Sequence, residues 1–386
     1  MDYGFTEYQT AIRDLAREIA EKEIRPIAAE YDREAKFPWP VVKVLAETDL
    51  FRVYIEDEYG GISDASPIMN MVIVTEELSK ACGGVALSFA GTALGTLPII
   101  LSGSEEQKKR WLPDIAAGGK LAAFALTEPQ AGSDAGAVRT TAIRDGDHYV
   151  INGSKIFISN GQIADLFIVV VKTDPKADPP HRGVSLILVE GDAPGFVRGR
   201  KLDKLGFRGQ DTSELFFEDC RVPVANLLGR EGAGFKMLMD KLQQERLVTA
   251  VGAITSARRC LEDTIEYTRN RKAFGQPVAS FQNTQFKLAE MMTEVEVGQA
   301  FVDRLLAAHV RGEELVTEVS MAKWWVTELL KRVSSQCLQL HGGYGFMMEF
   351  PVATDYADAA VQSIYAGTNE IMKVIIARRM GLDTRE

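Results

Sequence analysis

The chain has 386 residues, of which 46% are hydrophobic and 25% charged, and a net charge of −10. That length exceeds what one core conveniently buries and suits two or three packed units. The acidic balance argues against binding nucleic acid through general electrostatics, and no charge-free apolar run of about 20 residues, as a membrane span needs, is expected.

Residues 1–120 read as an N-terminal helical domain. The opening "MDYGFTEYQTAIRDLAREIAEKE" is amphipathic but acid-rich, unlike a secretory signal or a transit peptide, so a cytoplasmic protein of bacterial or archaeal kind is expected. Thr6 can cap a helix in which Ile12, Leu15, Ala16 and Ile19 recur at helical spacing, and Pro26 marks a break or kink. A second helix follows "FPWP" at 37–40, and "PIMNMVIVTEELSK" (67–80) is apolar enough for burial. "SGSEEQKKRWLPDIAAGG" (102–119) opens on a Ser-x-x-Glu/Gln capping pattern and closes on Gly118 and Gly119.

Between 121 and 230 the period changes to that of a central β domain. "HYVINGSKIFISN" reads as two β-rich runs around Asn152-Gly153, a hairpin signal. "LFIVVVKT", "GVSLILVE" and "ELFFEDCRV" are further strands, and "DPKADPPHRG" is a surface loop. A small antiparallel barrel or sandwich is expected. From 231 to 386 the pattern is helical again, and 283–310 and 314–340 are each long enough for a bundle helix. The fold class is therefore α+β, mainly α.

Three segments can carry chemistry. "FALTEPQAGSDAG" (124–136) is a small-residue loop that suits a flavin edge or a phosphate, or is a plain surface turn. "RNRKAFGQPVASFQ" (269–282) offers Arg271, Lys272 and Phe274 to a dinucleotide, or is an ordinary interhelical loop. "CLQLHGGYGFMMEFP" (337–351) sets two glycines after His341; with no partner in sequence, His341 reads as structural rather than catalytic. No GxGxxG fingerprint occurs, and no metal site is expected because the four histidines lack ligand spacing. Cys82, Cys220, Cys260 and Cys337 lie far apart, which fits a reduced compartment without zinc or disulfides.

Taken together, "GSEEQKKRWLPDIAAG", "ALTEPQAGSD", "INGSKIFISNG", "RKAFGQ…FQ", "QLHGGYG" and "IYAGTNEIMK" resemble the acyl-CoA dehydrogenase family in order and spacing, over nearly the whole chain. "LQQERL" (242–247) and "IYAGTNEIMK" resemble its long-chain branch, and partly the isovaleryl branch. The resemblance implies an N-terminal helical domain, a central β domain and a C-terminal four-helix bundle, with FAD between them, in a homotetramer. On the matching positions, Phe124, Leu126, Thr127, Gly132, Ser133, Phe157, Ser159, Thr368 and Glu370 would meet the flavin. Arg271, Phe274, Gln282, Gln339, Gly342 and Gly343 would hold the adenine-dinucleotide half, largely of a neighbouring subunit's FAD. Ser133, Gln243, Arg246, Ala366 and Gly367 would touch the substrate. "KLGFRGQDTSEL" departs from the family's Ser-x-Thr pattern near Thr212.

The implied reaction is α,β-dehydrogenation of an acyl-CoA thioester, with electron-transfer flavoprotein as acceptor. A base takes the α proton while fixed donors stabilise the enolate oxygen. Ala366 stands where most members carry a carboxylate; it keeps the backbone donor and lacks the base. Glu370 lies one turn into a helix. Glu245 has Leu238, Leu242, Thr249 and Gly252 as helical neighbours, and either pairs with Lys241 at the surface or enters a site. The long-chain and isovaleryl members carry their base at this position, followed by arginine, as in Glu245-Arg246. Small residues in "ALSFAGTALGTLP" (86–98) point to a long, branched or alicyclic acyl chain. The competing readings are an acyl-CoA oxidase and a catalytically silent acyl-CoA-binding flavoprotein.

Overall fold

A computed structural model describes residues 5–63 and 66–382; the first four residues of the N-terminal stretch lie outside the described residues. Helix α1 (Glu7–Ile19) opens on a capping box: Thr6 accepts from the Gln9 amide and Gln9 from the Thr6 amide. It buries Ile12, Ala16 and Ile19, then runs into a π turn, Ala20–Ile24, just before Pro26. Short helices α2 (Ala28–Arg33) and α3 (Trp39–Glu47) follow, the second starting inside the "FPWP" motif. Helices α4 (Pro67–Ala81), α5 (Gly83–Ser102) and α6 (Glu105–Ala116) complete the region. Ser104 and Gln107 form the second capping box, and Gln107 Nε2 also donates to the Ala225 and Leu227 carbonyls at 2.8 Å.

One expectation fails in α5. Its 20 residues carry no charge and are long and apolar enough to cross a membrane. The structure uses them as a mostly buried core helix, which accounts for its apolar character on nearly every face. Glycines allow the close approach: a Cβ at Gly95 would stand 3.0 Å from the Ala122 backbone, and one at Gly84 3.3 Å from Phe207 Cα.

The middle of the chain forms one eight-stranded sheet: β1 (Ala122–Ala125), β2 (Thr141–Asp145), β3 (His148–Ser159), β4 (Leu166–Lys172), β5 (Val184–Glu190), β6 (Phe196–Lys201), β7 (Thr212–Pro223) and β8 (Leu227–Leu228). The order is β6-β7-β3-β2-β4-β5-β8, with β1 beside β4. Most pairings are antiparallel; β1 and β2 meet β4 in parallel. Strands β4 and β5 are buried on both faces. Leu166, Ile168 and Val170 face the helices, while Phe167, Val169 and Val171 join Tyr149 and Ile151 in a second cluster.

The hairpin expected at Asn152-Gly153 is not there. Both residues lie inside the continuous strand β3, between β2 and β7. The turn is at Gly146 (φ 64), between Asp145 and His148. Asn152 instead exchanges hydrogen bonds with Asp219, and Gly153 (φ 148) sits at a register shift where a Cβ would come within 2.7 Å of Thr140 Cα. The dipeptide thus serves a bulge, which needs the same permissive backbone as a turn.

Helices α7 (Gly234–Asn270), α8 (Gln282–Val310) and α9 (Val316–His341) pack along one another. A small ribbon, β9 (Lys272–Ala273) and β10 (Gln276–Pro277), joins α7 to α8. Helices α10 (Pro351–Gln362) and α11 (Asn369–Arg379) close the bundle against α9. All four cysteines are unpaired and buried.

Candidate active site

Strand β1 delivers Phe124 to the boundary between sheet and helices, and Leu126, Thr127 and Glu128 follow. This segment is lashed to β3: Ile156 N–H donates to the Thr127 carbonyl at 2.9 Å, and Lys155 Nζ to the Leu126 carbonyl at 3.0 Å. Lys155 also meets Glu128 Oε1 at 2.7 Å, with the two side chains 0% and 1% exposed. Glu128 further accepts from Gln130 and from the Arg139 and Thr140 amides. Burial alone would raise the Glu128 carboxyl, but Lys155 and these donors outweigh it and hold the group below the usual carboxylate range. Neither residue was singled out from sequence. The readable signal was register: Lys155 shares its side of β3 with Tyr149 and Ile151.

The clamp fixes Leu126 and Thr127 against the stretch of β3 just before Phe157, while Ser159 pairs with Thr212 of β7. Phe157 has a left-handed backbone (φ 61) and is 63% exposed, next to the register shift between Lys155 and Ile158. Gly132 and Ser133 lie exposed on the adjoining loop. Thr212 is tied up locally, its hydroxyl accepting from Lys204 Nζ at 2.9 Å.

Helix α7 brings up the acid. Glu245 Oε2 is 3.2 Å from Lys241 Nζ, which in turn stands 3.4 Å from the Phe124 ring centroid. The sequence left a surface Lys241–Glu245 pair open; the pair exists but is not superficial, because Lys241 is fully covered. Burial pushes the Lys241 ammonium down, and the Glu245 carboxylate opposes that shift. The next residue, Arg246, donates from Nε to the Ala366 carbonyl at 3.3 Å, so Glu245 and the 365–367 turn share one locality. Tyr365 adds to this: burial pushes its phenol up, with Asp358 and Glu245 contributing.

The remaining candidates divide. Thr368 caps α11, its hydroxyl accepting from the Ile371 amide at 3.3 Å. Glu370 is exposed in the first turn, where its own N–H and Thr368 hold its carboxyl below the usual range. Gln243 turns away from Glu245, towards His309 of α8 at 3.5 Å. Arg271, Gln339, Gly342 and Gly343 line a cavity of about 480 Å³ together with Tyr267 and His341. Phe274 (96% exposed, φ 52) and Gln282 are outside that cavity, on open surface. His341 stacks on Tyr267 at 4.0 Å and bonds the Cys337 carbonyl through Nδ1, a packing role.

Sequence models of the acyl-CoA dehydrogenase N-terminal, middle and C-terminal domains match residues 6–119, 123–220 and 232–381. The chain belongs to the acyl-CoA dehydrogenase family. It is 43% identical to the mitochondrial long-chain specific acyl-CoA dehydrogenase of Sus scrofa, over 97% of this chain and 87% of that protein. A crystal structure of an acyl-CoA dehydrogenase from Geobacillus kaustophilus superposes with a TM-score of 0.93 at 47% identity, covering 97% and 98% of the two chains. An acyl-CoA dehydrogenase from Bacillus anthracis complexed with FAD matches at 0.90 and 33% identity, over 97% of this chain and 67% of that one. As a member of this family the chain is an FAD-dependent oxidoreductase, and its own residues fit the cofactor. Phe157 is presented rather than packed, nothing lies within 4 Å of a Cβ added at Gly132, Gly342 or Gly343, and Arg271 offers a cation to the cavity.

Proposed function

We propose that the chain catalyses α,β-dehydrogenation of a long, branched or alicyclic acyl-CoA to the trans-2-enoyl-CoA, with Glu245 as base. The observation that supports the reading is the placement of Glu245 against Lys241, which lies over the Phe124 ring, and next to Arg246, which bonds the Ala366 turn. Leu126, Thr127, Phe157, Ser159, Thr368 and Glu370 would frame the flavin ring, with Gly132 and Ser133 on the adjoining loop. FAD held there would supply the hydride acceptor for the β carbon. Glu245 takes the α proton: Lys241 occupies Oε2, and Oε1 has no hydrogen-bond partner among the described residues. Lys241 thereby fixes the carboxylate without blocking it. The Ala366 N–H receives the thioester oxygen as charge develops on it, and Ala366 leaves space where a longer side chain would stand. Glu370, exposed and held by its own helix terminus, is the weaker base.

Electron-transfer flavoprotein is the acceptor we assign, in a cytoplasmic homotetramer whose domain boundaries fall near 120 and 230. The exposed Phe274, Phe286 and Phe346 on the C-terminal region support association of copies. Anaerobic titration with a panel of acyl-CoA thioesters tests the reaction. Bleaching of the flavin by long or branched chains is expected, and a panel that leaves the yellow band intact rejects it. Rapid oxygen consumption during turnover would favour an acyl-CoA oxidase instead.

Arg271 lines the cavity and lies 5.3 Å from the Tyr344 ring centroid. A guanidinium suits a pyrophosphate. Arg271→Ala is expected to purify with roughly a tenth or less of its FAD and to need added FAD for activity, because a charge-assisted contact is worth about 1.5–3 kcal/mol. Full FAD retention in this variant would remove Arg271 from the cofactor site.

A further inference from the structure

Lys323 lies in α9 and is completely buried. Its Nζ donates to the Gly367 carbonyl at 2.8 Å and to Asn369 Oδ1 at 3.0 Å. Asn369 is itself fixed, donating to Thr327 at 3.0 Å and to Glu328 at 2.8 Å. From α7, Arg246 donates to the neighbouring Ala366 carbonyl. Cations from two helices thus hold two successive carbonyls of one turn.

That turn needs holding. Ala366 (φ 54) and Gly367 (φ 88) both lie in the left-handed region, which an alanine enters at a cost. With the carbonyls engaged, the backbone N–H groups of Ala366, Gly367 and Thr368 have no partner among the described residues, and all three residues are half-buried. Consecutive free amides of one turn are suited to receive negative charge. Burial, with Arg246 nearby, pushes the Lys323 ammonium down to about 8. An ammonium bonded to neutral oxygens in the interior is costly where an apolar side chain would pack freely. Packing alone therefore does not account for lysine here.

We propose that Lys323 is a positioning residue for dehydrogenation: by holding Gly367 and Asn369 it keeps the 366–368 amides turned towards the substrate, ready for the thioester oxygen. When the α C–H bond breaks, the proton passes to Glu245. The electron pair forms the Cα–C double bond and negative charge moves onto that oxygen. A cation behind the turn also polarises the peptide dipoles that receive the charge. The proposal rests on the acyl-CoA reading above.

The test uses FAD-loaded enzyme and trans-cinnamoyl-CoA, whose conjugated thioester band moves to the red when its oxygen accepts hydrogen bonds. Wild type is expected to show that red shift on binding. Lys323→Met is expected to keep FAD and to bind the probe within about threefold, yet lose most of the shift. Its flavin reduction by the best acyl-CoA should fall about 10- to 100-fold with KM little changed, somewhat less than loss of a direct oxyanion donor. A merely structural lysine would lower FAD content and melting temperature while bound probe kept its full shift; that result overturns the proposal. Asn369→Ala loosens the same anchor more gently, so a full shift and wild-type reduction rate there also overturn it if Lys323→Met does not fold. Failure of wild type to shift the probe or bleach with any acyl-CoA sinks the acyl-CoA reading, and this proposal with it. Wild-type bleaching with an unchanged shift in Lys323→Met sinks the positioning role alone.

Discussion

Glu245→Gln is expected to keep FAD and acyl-CoA bound while slowing anaerobic flavin reduction ~10²–10⁴-fold, the usual cost of removing a general base. The substitution is nearly isosteric and leaves an amide oxygen for Lys241 to meet, so the pocket keeps its shape. What it removes is the acceptor for the α proton. It also leaves the covered Lys241 ammonium without its counter-ion, so a modest fall in melting temperature should accompany the rate loss. Stopped-flow absorbance of the flavin measures the step directly, before any acceptor is involved. Adding Ala366→Glu to this variant should restore part of the rate, because the turn lies next to Glu245 through Arg246. The restored enzyme should prefer shorter chains, since the new side chain fills space beside the thioester. Bleaching by Glu245→Gln at close to the wild-type rate would move the base elsewhere, with Glu370 the next residue to replace.

The second large effect concerns the Lys155–Glu128 pair. Removing one partner of a buried ion pair strands the other and typically costs ~3–5 kcal/mol. Here the loss falls on the segment that carries Leu126 and Thr127, because Lys155 also holds the Leu126 carbonyl. Lys155→Met and Glu128→Gln should each emerge pale, with little bound FAD and clearly lowered melting. The pH dependence follows from Glu128. Its folded-state carboxyl lies below the unfolded value of ~4.3. The stability it contributes is thus fully present at neutral pH and lost as the pH falls through the folded value. Lys155→Met should release FAD at a higher pH than wild type during acid titration. Full FAD content and wild-type melting in Lys155→Met would show that the pair carries no such load.

Much of this molecule was legible because local chemistry and global fold agree. The cap at Thr6 and the capping pattern before α6 stand where the sequence put them, and the long periodic runs became α8 and α9. Asn152-Gly153 misled because a turn and a bulge ask the same thing of the backbone; only the strands on either side decide. Helix α5 escaped notice as a charge-free run because its glycines and threonines dilute the apolar signal. At the site, motif strings located the loops but not what braces them. Lys155, Lys241 and Lys323 are buried cations, and burial of a lysine depends on which carboxylate or carbonyl the fold delivers to it. Lys241 shows the limit: its spacing to Glu245 was visible, yet the Phe124 ring that covers it comes from more than a hundred residues away.

The packing of α5 has a consequence for making the protein in pieces. Its glycine-lined face meets β1 at Ala122 and the 203–211 connection at Phe207, both supplied by later chain. A fragment ending near residue 120 would present that uncharged helix to water with its covering sheet missing. During synthesis the same helix leaves the ribosome before the strands that shelter it, and for that interval it looks like cargo for a membrane or a chaperone. The helical region at the N-terminus is therefore not a separable module: its solubility is lent to it by strands translated after it.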